Sequence, residues 1–249
     1  MNYDDYCRRL QDLIARIARE ERESIALAAK EMASQIQTGR LVHVIGTGAH
    51  SMMAAEESVW RAGGLAAMDG ILDEGFALVS GARRSNAIER LPGYATALLR
   101  TWGIAPGELL IIVNAYGVNA ATIDSALFCR ENGVKSVAVT SVELQRALPD
   151  DHPARHPSGC NLCDLADIVI DSKVPMGDAV VELEGVGEPM GAVSTVANVF
   201  VMNALMLETA AKLARRDYAV PVWKSANSPG GDEANRALIA EYAPRIRKL

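Results

Sequence analysis

The chain lacks a basic excess. Its 25 Lys and Arg stand against 31 Asp and Glu, a formal net charge of -6. A general nucleic-acid binder needs a basic face, so that class is set aside, although a small anion needs only local positive potential. No apolar run approaches the roughly 20 residues of a membrane helix. The opening MNYDDYCRRLQDLIARIAREE has no continuous apolar core of the kind a secretory leader carries. The expectation is a cytoplasmic protein without membrane or nucleic-acid partners. Cysteine is scarce: Cys7, Cys129, Cys160 and Cys163 are read as thiols of a reducing compartment. Cys160 and Cys163 form a lone CxxC, and no second CxxC or histidine pair completes a zinc site. No metal is expected. No repeat or low-complexity linker divides the 249 residues, a length that fits one large domain.

What is present is an alternation of apolar strands and helices. Residues 3–38 read as one long helix, with Leu10, Leu13, Ile14, Ile17, Ile25, Ala28 and Ala29 at helical spacing and Gly39 as its stop. Strands are expected at 41–45, 65–68, 109–113, 136–140 and 166–170. Helices are expected at 51–62, 87–102 (interrupted near Pro92 and Gly93), 121–132 and 193–215, with a last helix in the tail. Residues 146–164 read as a long loop, and 177–189 as loop or hairpin. This order implies βαβ units: an α/β, three-layer αβα sandwich around a mainly parallel sheet. The chain is read as one domain, with an N-terminal helix to residue 38, an αβα core over 39–215 and a tail with a helix over 216–249. Ligands of such sheets bind outside the carboxyl ends of the strands.

Two loops follow strands at that end. The first, HVIGTGAHSMMAAEE, offers Gly46 and Gly48 for a tight turn, the hydroxyls of Thr47 and Ser51, and the start of a helix. Such a turn presents backbone N–H groups to an anion or polar ligand. Its third fingerprint position holds Ser51 instead of glycine, yet Asp69 stands near the acid position of a dinucleotide site, so a nicotinamide-binding alternative stays open. The second loop runs from Asn114 through Tyr116 and Gly117 to Asn119.

Seven segments carry a resemblance: GTGAHSMMAAEESVWRAGGL, IERLPGYATALL, SVAVTS, HPSGCNL with ADIVID, VPMGDAV, STVANVFVMNALMLE and SANSPGGDEANRALIAEY. Together they resemble the SIS (sugar isomerase) domain family, and within it a branch described as phosphoheptose isomerase-like. The resemblance covers most of the chain in order. It implies a SIS-type fold, a small-molecule sugar derivative as ligand, no cofactor, and a homodimer or homotetramer built through the long apolar helices. The activity implied is sugar or phosphosugar isomerisation by enediol proton transfer. A non-catalytic sugar-phosphate sensor and an amino-sugar deglycase or lyase are the alternatives.

The chain departs from the family in both loops. The second loop usually reads I-S-x-S-G-x-S/T, and here the hydroxyl positions hold Asn114, Tyr116 and Asn119. A common catalytic glutamate lies about ten residues after the loop serine, and here that position is Arg61. Glu56 and Glu57 therefore become the acid–base expectation, with Glu57 also placed to pair with Arg61. His50 lies inside the first loop, and His156 in a family-like segment. His43 reads as structural. Ser194 and Thr195 open the late helix and can cap it or reach a ligand. Asn227 and Asp232 in the tail can reach a site, or Asp232 can cap the last helix.

Overall fold

The computed structural model describes all residues, Met1–Leu249. In chain order the elements begin with α1 Asn2–Glu20, α2 Arg22–Gln37, β1 Val42–Gly46, α3 Ala49–Ser58 and β2 Met68–Gly70. A 3-10 turn at Leu78–Ser80 precedes α4 Ala82–Glu89, α5 Tyr94–Trp102, β3 Leu109–Val113, α6 Ala120–Asn132 and β4 Lys135–Thr140. Then come α7 Val142–Ala147, α8 Leu162–Leu165, β5 Ile168–Asp171, β6 Ala179–Val181, β7 Met190–Ala192, α9 Ser194–Ala214 and α10 Gly231–Tyr242.

Five parallel strands lie in the order β2-β1-β3-β4-β5. Every residue of β1 and β3 is buried, which fits strands covered on both faces and explains their unbroken apolar runs. Helices α2, α3 and α9 pack together as one layer, and α5, α6 and α8 as another. The fold is the expected three-layer α/β sandwich. Its core is one cluster of 52 buried residues that runs from Ile17 to Ile246. The strand order reverses between β1 and β3, so the crevice above their carboxyl ends is the natural ligand position.

Three expectations change. The first helix is two helices, broken at Glu21, where Lys173 Nζ sits 2.7 Å from Glu21 and 3.0 Å from Asp171. No glycine or proline marks this break, because a tertiary ion cluster makes it. The second strand begins at Met68, three residues later than the pattern suggests, since residues 65–66 bond instead to the tail at Pro221 and Val222. Helix α9 has the length and composition of a membrane span, contrary to the reading from apolar runs. Here it is a core helix: Ala197, Val201, Met202, Leu205 and Leu213 are buried within the cluster.

Candidate functional site

A cavity of about 480 Å³ opens above β1 and β3. Its walls come from the first turn of α3 (Gly48–Ser51), the loop after β3 (Asn114–Asn119), one face of α4, the 146–164 loop and the start of α9.

The first loop is shaped by close approach. A β-carbon on Gly46 would stand 2.2 Å from the Ser51 carbonyl oxygen, so only glycine fits. Thr47 is fully buried and its hydroxyl is 2.6 Å from that of Thr122, which ties the loop to α6. Gly46 and Thr47 thus build the loop from behind; the cavity sees Gly48, Ala49, His50 and Ser51. In the first turn of α3 the N–H groups of Ala49, His50 and Ser51 precede the first intrahelical bond, from Met52 to Gly48, and are free for a ligand. His50 is exposed at the rim.

The second loop closes on itself. Asn114 Oδ1 accepts the Gly117 N–H at 2.9 Å, and Asn114 Nδ2 donates to the Thr47 carbonyl at 2.9 Å. Gly117 has φ +61°, and a β-carbon there would meet Gln145 at 2.4 Å, so it serves the turn and does not line the cavity. Tyr116 is half-buried on the wall, and Asn119 is buried there with its Oδ1 lacking a hydrogen-bond partner.

The acid in this cavity is one that sequence reasoning missed. Ala82, Ser85, Asn86 and Glu89 recur at helical spacing along one face of α4 and line the wall. Glu89, the last residue of α4, lies against Gly48 and receives a long 3.4 Å contact from Asn114 Nδ2. Burial pushes its carboxyl up to about 7, with Asn114 and Arg90 only partly opposing. Glu89 falls inside IERLPGYATALL, just before the Pro92–Gly93 break, and that position was the one available signal. Glu56 and Glu57 lie elsewhere. Five and six residues along α3 from Ser51, they stand about 7.5–9 Å up the helix axis. Glu56 is exposed, and Glu57 pairs with Arg61 at 2.8 Å.

The histidines are also redistributed. His152 lines the cavity and His156 does not. Ser158 N–H donates to His156 Nδ1 at 3.0 Å, so Nε2 carries the proton toward Asp124, 3.3 Å away. The same Asp124 accepts the Gly93 N–H at 2.6 Å. His156 therefore ties the 146–164 loop to α6, and Asp124 ties α6 to the α4–α5 turn. His43 is buried at the opposite end of β1, with Asp69 at 2.8 Å and Glu108 at 3.2 Å. Its imidazole is held at about 9, the two carboxylates outweighing the effect of burial. Asp69 Oδ2 also accepts the Trp102 indole N–H at 2.8 Å, and the residue is buried outside the cavity lining, which disfavours the dinucleotide alternative.

Ser194 reaches the cavity, but its hydroxyl donates to Asp178 at 2.7 Å, and Asp178 also accepts the Val193 and Ser194 amides, capping α9. Asp178 was missed from sequence; it lines the cavity too. Thr195 is half-buried and stands outside the lining. Asn227 and Asp232 likewise stay outside, and α10 begins at Gly231 on the Gly230 turn without a side-chain cap from Asp232.

Three comparisons bear on this arrangement. The SIS domain family model matches residues 5–141. A UPF0309 protein from Brucella anthropi is 41% identical over 243 residues, 98% of this chain and 95% of the relative. The chain belongs to the SIS domain family. A UPF0309 protein from Brucella canis is similar at 38% identity, again over 98% of this SIS chain and 95% of the relative. Among solved structures, the phosphoheptose isomerase GmhA from Neisseria gonorrhoeae superposes with a TM-score of 0.51 at 14% identity, covering 82% of this chain and 94% of that one. A phosphoheptose isomerase from Francisella tularensis gives 0.52 at 14% identity, over 83% and 95%. At that identity the two structures attest the fold alone.

Proposed function

We propose that this cavity binds a sugar derivative and that the protein is a sugar or phosphosugar isomerase, interconverting aldose and ketose. The reading rests above all on Glu89: a half-buried carboxyl, pushed up to about 7 by desolvation, facing a cavity at the carboxyl ends of the strands. Such a group suits the reaction. As carboxylate it takes the proton from C2 of an aldose, and as acid it returns that proton to C1 of the enediol. The matching transfer between O1 and O2 needs a second group near the ligand, and Tyr116 and His152 share the wall. The free amides of α3, Ser51, His50 and Asn119 supply contacts for polar oxygens. Glu56, Glu57 and His156 leave the catalytic set, Gly46, Thr47 and Gly117 shape the loops from behind, and Thr195 stands outside the lining.

The test is deuterium exchange. Incubation in D2O with a panel of aldoses, ketoses and their phosphates is expected to place deuterium at C1 or C2 of at least one, and Glu89→Gln is expected to abolish it. Saturable binding with no exchange by the wild type would support the sensor reading instead.

The reading extends to a cytoplasmic homodimer or homotetramer. An apolar groove formed by Leu10, Ile14, Ala18, Val196 and Phe200 lies between α1 and α9 and supports such assembly. Light scattering at micromolar concentration that gives a monomer would contradict it.

A further inference from the structure

We infer that the β6–β7 hairpin is an arm that docks on α4 of a second copy of this chain. The inference rests on the homo-oligomer reading above, not on the choice of sugar, and names a contact that holds the assembly.

Three observations carry it. The first is the arm itself. Strands β6 and β7 pair only with each other, outside the five-stranded sheet. A lone two-stranded hairpin is marginal in water, so it needs a surface to lie on. At its base it has one. The Tyr6 hydroxyl donates to the Ala192 carbonyl at 2.9 Å, and a β-carbon on Gly191 would meet the Tyr6 ring at 2.7 Å. Beyond that base the chain turns tightly, the Val186 N–H donating to the Leu183 carbonyl at 3.1 Å. Residues 184–190 are all exposed, and Val186 and Met190 put apolar side chains into solvent.

The second is a bare helix. Of the residues of α4 only Ser85 is buried. Apolar side chains gather around it: Val79, 88% exposed, and Leu78 before it, and Leu91, 50% exposed, after it. Exposed apolar residues grouped in this way mark an interaction surface, whereas scattered ones do not.

The third is charge. The arm carries Glu182, Glu184 and Glu188, all exposed, and none forms an ion pair within the chain. The bare helix and the residue after it carry Arg83, Arg84 and Arg90, equally exposed and equally unpaired. This basic patch stands out in a chain of net charge -6. The two surfaces therefore match in both terms, anion to cation and apolar to apolar, which fixes the partner and its register. A two-fold axis makes the contact twice, since each copy gives an arm and receives one. The arm also continues the apolar groove between α1 and α9: Val196, one wall of that groove, follows β7 by four residues.

The experiment is sedimentation velocity of the full chain over a range of concentrations. The arm-reversed chain carries Glu182→Lys, Glu184→Lys and Glu188→Lys. The helix-reversed chain carries Arg83→Glu and Arg84→Glu; Arg90 is kept because it borders the cavity. Each reversed chain alone is expected to assemble at least about tenfold more weakly than wild type. An equimolar mixture of the two is expected to recover assembly, because Lys arms then meet Glu helices and Glu arms meet Arg helices. A contact within one chain would not be recovered by mixing. Wild-type assembly is also expected to weaken as salt rises. Wild-type assembly that ignores salt, reversals that leave it unchanged, or a mixture that stays dissociated each overturns the arm contact and leaves the oligomer reading standing. A wild-type monomer at every concentration removes both. The salt response of the wild type keeps the inference refutable even if a reversed chain does not fold.

Discussion

Replacing Glu89 by Gln should make the protein slower and sturdier at once. The carboxyl has an ordinary value of 4.5 and stands at about 7 in the fold. A pH-unit difference corresponds to about 1.4 kcal/mol, so holding Glu89 ionised costs about 3 kcal/mol. The sign follows from which form is disfavoured. The penalty is absent below pH 4.5, grows as the unfolded chain ionises first, and is complete above pH 7. The positive end of α3, against which the carboxylate lies, offsets about 0.3–1 kcal/mol. A gain of about 2 kcal/mol is therefore expected for Glu89→Gln at pH 8, and close to none at pH 4.5. Urea unfolding of both proteins at the two pH values measures it. Deuterium exchange should fall by about 10²–10⁴, and in the wild type it should rise with pH through about 7. A variant no more stable than wild type at pH 8, or equally stabilised at both pH values, would refute the claim that Glu89 is held ionised against burial.

Three further outcomes are expected. His43 stands at about 9 against 6.5 unfolded, so its contribution of about 3 kcal/mol is complete below pH 6.5 and lost as pH rises through 9. The stability gap between wild type and His43→Gln should narrow by that amount across this window, and a constant gap would contradict the ion triad. Gly117→Ala meets both a left-handed backbone and Gln145, and should cost about 2–4 kcal/mol in chemical denaturation. Glu57→Ala removes only a pair with the exposed Arg61, so stability should change by less than about 1 kcal/mol and deuterium exchange should be unchanged; a large loss of exchange would restore Glu57 to the site.

The central strands and the two glycine turns that follow them were legible because their signals are local. Leu109–Val113 is an unbroken apolar run, and Gly46 and Gly117 stand where their backbones must crowd a neighbour. The acid was not legible. Glu89 lies some forty residues from the glycine loop, in a helix whose pattern is mostly polar, and only the fold lays α4 beside α3. Glu56 and Glu57 looked suitable because distance along the chain was read as distance in space, whereas a helix carries its later turns away from the site. His152 and His156 sit in the same loop; His152 lines the cavity, while His156 lies against Asp124, a residue of α6 that no spacing in the loop points to. The break at Glu21 was hidden for the same reason, since its cause is Lys173, on the far side of the sequence.

Asp124 also bears on how such a protein can diverge. Its carboxylate holds Gly93, four residues beyond Glu89, and His156, four residues beyond His152. The two rims of the cavity are therefore tied through one carboxylate. A lineage that lengthens either rim loosens the other unless Asp124 keeps both partners. Changes of ligand preference should accumulate on the free side chains Tyr116, Asn86 and His50, which no such tie constrains, before they touch loop length.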